Sequence, residues 1–201
     1  MKSKLFFLMI LCGAFAFAQS SYTKKAVEVL KSSELNITGK TNVNTFTCRF
    51  NTDYLKPCQL ISYCDKNGVI TFKNASLVLN AKGFDCGSKG INRDFQKLLK
   101  TDEYPEITLE LIKATIHRDK LVAQVNITMA GKNKEYNVPV VVSEGDYQTF
   151  NGVLSLKLSD YELSLPTKLF GLIVIKDDIE INFNIAAQFQ DIQRFTHSQS
   201  N

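Results

Sequence analysis

From Ala26 onward, apolar and polar side chains alternate at every second position, in short runs separated by clusters of Gly, Asn and Asp. A period of two is the period of a β-strand, and the clusters read as turns. The clearest run is Ile179 to Phe189. There Ile179, Ile181, Phe183, Ile185, Ala187 and Phe189 share one face, and Glu180, Asn182, Asn184 and Gln188 share the other. Such a strand has one dry and one wet side.

The same period recurs at Leu121, Ala123, Val125, Ile127 and Met129. After the turn Ala130-Gly131-Lys132-Asn133 it returns at Tyr136, Val138, Val140 and Val142, so the two runs predict a hairpin. Ile107, Leu109 and Leu111 begin a further strand that breaks phase at Ile112, which predicts a bulge before Ile116. Leu154, Leu156 and Leu158, Phe72, Leu77 to Leu79, and Thr45 to Cys48 mark others. The total is about eight short strands, the pattern of an antiparallel sandwich or barrel. One segment departs from it. Behind Asn92 as N-cap, Phe95, Leu98 and Leu99 fall at helical spacing, which predicts one short helix from Arg93 to Lys100 packed as a lid on a barrel end.

The first residues change the picture. Lys2 and Lys4 precede an apolar run from Leu5 to Ala18 that ends in Ala16-Phe17-Ala18, the order of a secretory signal peptide. The run falls short of the roughly 20 residues that a membrane-spanning helix needs. Residues 1–18 are therefore expected to be removed, leaving a barrel domain over residues 22–190 and a polar tail over 191–201. Cys12 raises a lipoprotein alternative, but Leu11 before it is bulky where such processing sites use a small residue. The expected location is the periplasm or the outside of the cell. Removing Lys2 and Lys4 but no acid lowers the net charge from +4 to about +2. With basic residues scattered among acids, that is too close to neutral to argue for nucleic acid, and no nucleic-acid partner is expected.

Export also decides how the cysteines read, because exported thiols meet an oxidising compartment. The mature chain keeps Cys48, Cys58, Cys64 and Cys86, an even count that suggests two bridges with three connectivities open. The expected pairing is Cys48 to Cys86, from a strand to a strand end that can lie side by side, and Cys58 to Cys64 around a short loop at Gln59 to Tyr63. A metal site would need paired short cysteine spacings or nearby histidines, and His117 and His197 sit far away in sequence, so no metal is expected.

Catalytic chemistry finds no support. His117 stands beside Arg118 and Asp119 at a strand end, where a solvated residue is expected, and His197 lies in the polar tail. No Gly-x-Ser-x-Gly elbow, Gly-rich phosphate loop or His-Glu-x-x-His is present. Asp177-Asp178 reads as a solvated turn before a strand. The chain is expected not to be an enzyme and to need no cofactor.

Three stretches carry a resemblance. Tyr104-Pro105-Glu106-Ile107-Thr108-Leu109 resembles a tyrosine-proline step out of a helix into a strand. Val125 to Lys134, running on to Val138-Pro139-Val140, is similar to a hairpin with a Gly turn and a lysine. The third runs Leu158-Ser159-Asp160-Tyr161-Glu162-Leu163-Ser164-Leu165-Pro166, then Gly171-Leu172-Ile173-Val174 and Asp177-Asp178-Ile179-Glu180-Ile181. In this order and spacing they resemble the YceI-like family of bacterial exported proteins, named for polyisoprenoid binding, over roughly residues 84–189. The opening Leu35 to Cys48 lacks the histidine of the common family pattern and looks like a cysteine-bearing branch.

The resemblance implies an eight-stranded lipocalin-like barrel whose interior holds a long isoprenoid or lipid chain. A barrel of about eight strands has room for side chains or for one slim ligand. Leu109, Leu111, Val125, Ile127, Val138, Val140, Leu154, Leu156, Phe183 and Ile185 are therefore expected to point inward, and several of them to touch a ligand chain. Two alternatives stay open. One is a secreted, fully packed barrel acting through its loops without lipid. The other is a small outer-membrane barrel, whose strands alternate in the same way with the apolar face outward.

Overall fold

The structure is a computed structural model that describes residues 21–56, 58–117, 120–164, 167–168 and 173–191. The expected leader at 1–18, Cys12, His197 and residues 192–201 of the tail lie outside the described residues. In chain order the elements are β1 (Thr23–Val29), β2 (Glu34–Thr41), β3 (Thr45–Phe50), β4 (Cys58–Lys66), β5 (Val69–Lys73), β6 (Ser76–Asn80) and β7 (Phe84–Asp85). There follow α1 (Lys89–Leu98), β8 (Glu106–His117), β9 (Lys120–Met129), β10 (Lys132–Ser143), β11 (Gln148–Lys157), β12 (Thr167–Lys168) and β13 (Ile173–Gln190).

Eight strands close an antiparallel ring in the order β1, β4, β5, β8, β9, β10, β11 and β13. Closure comes from β13 pairing β1, from Ala26 opposite Gln190 to Val29 opposite Ala187. The other strands extend the wall at one end, here called the deep end. The first part of β13 leaves β1 and pairs β2, which pairs β3, which pairs β7. Beyond Asn74, which turns the chain at φ 59°, β6 takes over the place of β5 along β8. Cys48 of β3 is joined to Cys86, just past β7, across 38 residues.

Local sequence accounts for the details. The expected bulge is a register shift between Leu111 and Lys113, after which Ala114 and Ile116 take the inward phase opposite Ala123 and Leu121. The β9–β10 hairpin is tighter than the four-residue turn expected, because Lys132 already pairs Met129. Ala130 and Gly131 make the turn at φ 49° and 75°. A side chain at Gly131 would meet the Tyr104 ring at 2.8 Å, so the tyrosine-proline step packs over this glycine.

Three expectations are corrected. The helix begins four residues before the expected start, and its N-cap is Ser88, whose Oγ accepts from the Ile91 N–H. Asn92 instead fixes the approach to the helix, accepting from the Cys86 N–H at 2.6 Å and donating to Asp85 at 3.0 Å. Second, Asp177 and Asp178 lie within β13, at a register shift between Ile175 and Ile179.

Third, Cys58 and Cys64 are both free. Gln59 to Tyr63 is no loop but the middle of β4, paired residue by residue with β1. Six strand steps separate the two cysteines by roughly 20 Å. A bridge needs Cα atoms about 4.4–6.8 Å apart.

Candidate functional site: an apolar lumen in two chambers

The inward faces of the ring strands enclose apolar space along most of the barrel. At the deep end α1 forms the floor. Phe95 and Leu99 are buried, and with Leu98 they line a small chamber of about 50 Å³ whose exposed wall is wholly apolar. Leu79, Phe84, Ile107 and Met129 complete it. Toward the other end the lumen widens to a chamber of about 290 Å³. Gln59 and Ser76 are the polar residues on its wall among the described residues.

The ten residues expected to face inward distribute over the two chambers. β8 supplies Leu109 and Leu111, β9 Val125, β10 Val138 and Val140, β11 Leu154, and β13 Phe183 and Ile185, all to the outer chamber. Ile127 and Leu156 line the deep chamber instead. Leu109 lines both, as do Leu35 of β2 and Ile181 of β13.

Several wall residues escaped the sequence reading. Phe150 lies two strand positions before Gly152 on the Leu154 face, and the missing side chain at Gly152 interrupts the period. A Cβ there would meet the Phe183 ring at 2.4 Å, so the glycine makes room for that phenylalanine. Val27 and Ile61 come from strands whose polarity is mixed. On β4 the polar Gln59 faces the lumen while Leu60, 49% exposed, faces out.

The polar chemistry lies outside the lumen. Two strand steps beyond Val27, Lys25 pairs with Asp191 at 2.6 Å, and this hydrogen bond raises the lysine above its usual range. Tyr161 is wholly buried at the deep end and its hydroxyl donates to the Ile127 carbonyl at 3.5 Å. Burial, reinforced by Tyr136 beside it, drives this phenol far above its ordinary pKa. Burial and then Glu28 push the Cys58 thiol up, away from the thiolate that reacts. Among the described residues no three His, Cys, Asp or Glu side chains gather in a way that could hold a metal ion. No helix among them is long and apolar enough to cross a membrane.

An antiparallel eight-stranded ring around an apolar lumen, floored by a helix, defines a closed β-barrel with an apolar interior. The YceI-like domain model matches residues 60–187, and this chain belongs to that family. Among solved structures it is similar to BcnA of Burkholderia cenocepacia, at 20% identity and a TM-score of 0.63, over 78% of this chain and 96% of that one. It is also similar to a polyisoprenoid-binding domain from Saccharophagus degradans implicated in plant cell wall breakdown. There the identity is 14% and the TM-score 0.57, over 84% of this chain and 99% of that one. No curated protein sequence matches the chain. At these identities the two structures establish a shared fold.

Proposed function

We propose that this chain is an exported carrier that holds one apolar isoprenoid- or lipid-like chain inside its barrel, in the periplasm or outside the cell. The observation that carries the reading is the outer chamber, about 290 Å³ of space walled by aliphatic and aromatic side chains. Apolar cavities of this kind stay dry and take apolar ligands. At roughly 25 cal/mol per Å² of buried apolar surface, a hydrocarbon chain gains affinity there without a charged partner. Family membership, and the polyisoprenoid-binding description of the Saccharophagus domain, support the same class of ligand. Export rests on Lys2, Lys4, the apolar run to Ala18 and Ala16-Phe17-Ala18.

The direction of the side chains favours this over a barrel embedded in an outer membrane. The buried residues Ala123, Val138, Val140, Leu154 and Leu156 face the lumen. The outward face of β13 carries Glu180, Asn182, Asn184 and Gln188, the reverse of a lipid-facing wall.

The test is mass spectrometry of organic extracts of the mature protein purified from its own host, alongside Val140→Trp. Val140 faces the outer chamber, so the indole should displace the ligand while the fold survives. A clean extract from the unmodified protein, together with a melting temperature that collapses in Val140→Trp, would show a solid barrel and defeat the carrier reading.

A further inference from the structure

The two chambers meet at three side chains, and their position bears on which chains fit. Leu35 and Ile181 stand on adjoining strands, β2 and β13. Leu109 stands on β8, which the ring separates from β13 by β9, β10 and β11 on one side and by β1, β4 and β5 on the other. It therefore meets the other two across the lumen, and all three border both chambers. Beyond them the deep chamber offers about 50 Å³ above a floor of α1 side chains.

Volume sets a scale for the occupant. An apolar cavity of about 150 Å³ takes one benzene ring. By that ratio the outer chamber of about 290 Å³ takes roughly a dozen carbons, and the deep chamber of about 50 Å³ two or three. The outer chamber reaches the end of the ring where Phe189 is 40% exposed, whereas α1 closes the opposite end.

Resting on the carrier reading, we infer that Leu35, Leu109 and Ile181 form a waist that measures the ligand. The barrel holds one slim chain of roughly a dozen carbons, entered tail first from the Phe189 end and stopped at the waist. Any polar end, and the remainder of a longer chain, stay outside beyond Phe189. The three residues are thus specificity determinants for chain length, a role distinct from that of the wall residues, which supply contact area.

The test uses the full mature chain and displacement of a fluorescent anilinonaphthalene probe. The competitors are straight primary alcohols of about 8 to about 16 carbons and isoprenoid alcohols of about 10, 15 and 20, since each buried methylene adds a similar increment. In the unmodified protein, affinity should rise roughly fourfold per added methylene up to about twelve carbons and then level off. Leu109→Ala removes one side of the waist and joins the chambers. The levelling point should then move out by about two to four carbons while the slope below it stays the same.

Ile181→Ala opens the waist from the opposite wall and should give the same displacement, which keeps the test valid if Leu109→Ala does not fold. An unmodified protein whose affinity rises to the end of the series, or a levelling point that the opened waist leaves in place, would overturn the inference while leaving the carrier reading intact. Failure of every alcohol to compete would overturn the carrier reading and the waist with it.

Discussion

At the deep end, the Phe84 ring sits 4.9 Å from that of Phe50 and 5.3 Å from that of Phe95, and Ile127 and Cys48 are almost wholly buried beside them. At the outer end Phe150 and Phe189 lie 6.3 Å apart, and the buried cluster shrinks to Val27, Ile61, Ala75 and Ala187. The walls at both ends share β8, β9, β11 and β13, with the same alternation. What differs is what plugs them. The deep end receives α1, the β2–β3–β7 extension and the Cys48–Cys86 bridge, whereas the outer end has no plugging element among the described residues and keeps its volume. Alternation thus makes the lumen apolar, and the elements outside the ring decide whether it is filled.

The largest expected effect tests the plug. Replacing both Cys48 and Cys86 by Ala opens a 38-residue loop, which should cost about 4 kcal/mol of stability by the chain-entropy relation. Cys58→Ala should change stability little, because that thiol is unbridged and on the outside of β4. Denaturant unfolding of the two variants checks both halves of the statement. A loss below about 1 kcal/mol in the double variant would mean that the bridge is not what holds the deep end.

Next comes the contrast between filled and hollow halves. Ile127, at 1% exposure, borders only the small deep chamber of about 50 Å³, so Ile127→Ala should cost about 3 to 4 kcal/mol, with the transfer and cavity terms both present. Leu111 is half-buried against existing space in the outer chamber, and Leu111→Ala should cost about 1 to 2 kcal/mol, nearer the transfer term alone. Equal losses in urea unfolding would erase the distinction between the two halves.

Much of this architecture was legible in the sequence, and the misses share a cause. Strict alternation such as Ile179 to Phe189 reports a strand with one buried face. So does Leu121 to Met129, and the break at Ile112 reported a real bulge because a register shift must change the phase of the pattern. β4 inverts the rule: Gln59 faces in and Leu60 faces out, so its pairing with β1 leaves no alternation to read, and the loop expected over Gln59 to Tyr63 and the bridge expected from Cys58 to Cys64 are both absent. The start of α1 differs from the expected one because Asn92 has the chemistry of a cap, while the capping side chain is Ser88. The division of the lumen was not legible, since Leu109 and Leu111 are equivalent in pattern and differ only in what stands opposite them across the barrel.

A smaller effect comes from adding a single methyl group at the deep end. In Gly39→Ala the new Cβ would lie 2.3 Å from the Phe46 ring and 3.0 Å from Ile179 Cδ1, and both of those residues line the deep chamber. With so little free volume there, the ring has to shift its neighbours, and the expected cost is about 1 to 3 kcal/mol. Val140→Trp adds far more volume in the outer half, where there is space to receive it. If the methyl group proves free of cost in a thermal melt, the deep chamber has more slack than its volume of about 50 Å³ implies.

The smallest effect is electrostatic. At the deep end Asp177 accepts from the Ser159 hydroxyl at 2.6 Å and from its N–H at 2.8 Å. Asp85 accepts from Asn92 and from the Gly87 N–H. Glu162 pairs with Lys132 at 2.8 Å. These partners hold all three carboxylates below their usual pKa. A carboxyl group with a depressed folded-state pKa contributes stability that is fully present above its unfolded pKa of about 4 and is lost as pH falls through the folded value. At the outer end Lys25 is raised by Asp191, so its contribution is present at neutral pH and disappears only as pH rises through the elevated lysine pKa. These groups are exposed or only partly covered and are screened by solvent, so each contribution is small. Between about pH 6 and pH 3 protection against amide exchange, taken relative to the intrinsic rate at each pH, should therefore fall around Ser159, Asn92 and the β9–β10 turn. In Asp177→Asn the acid-dependent part at Ser159 should vanish, because the amide cannot titrate. Acid-dependent loosening elsewhere that left Ser159 and Asn92 protected would overturn the assignment of acid sensitivity to these three carboxylates.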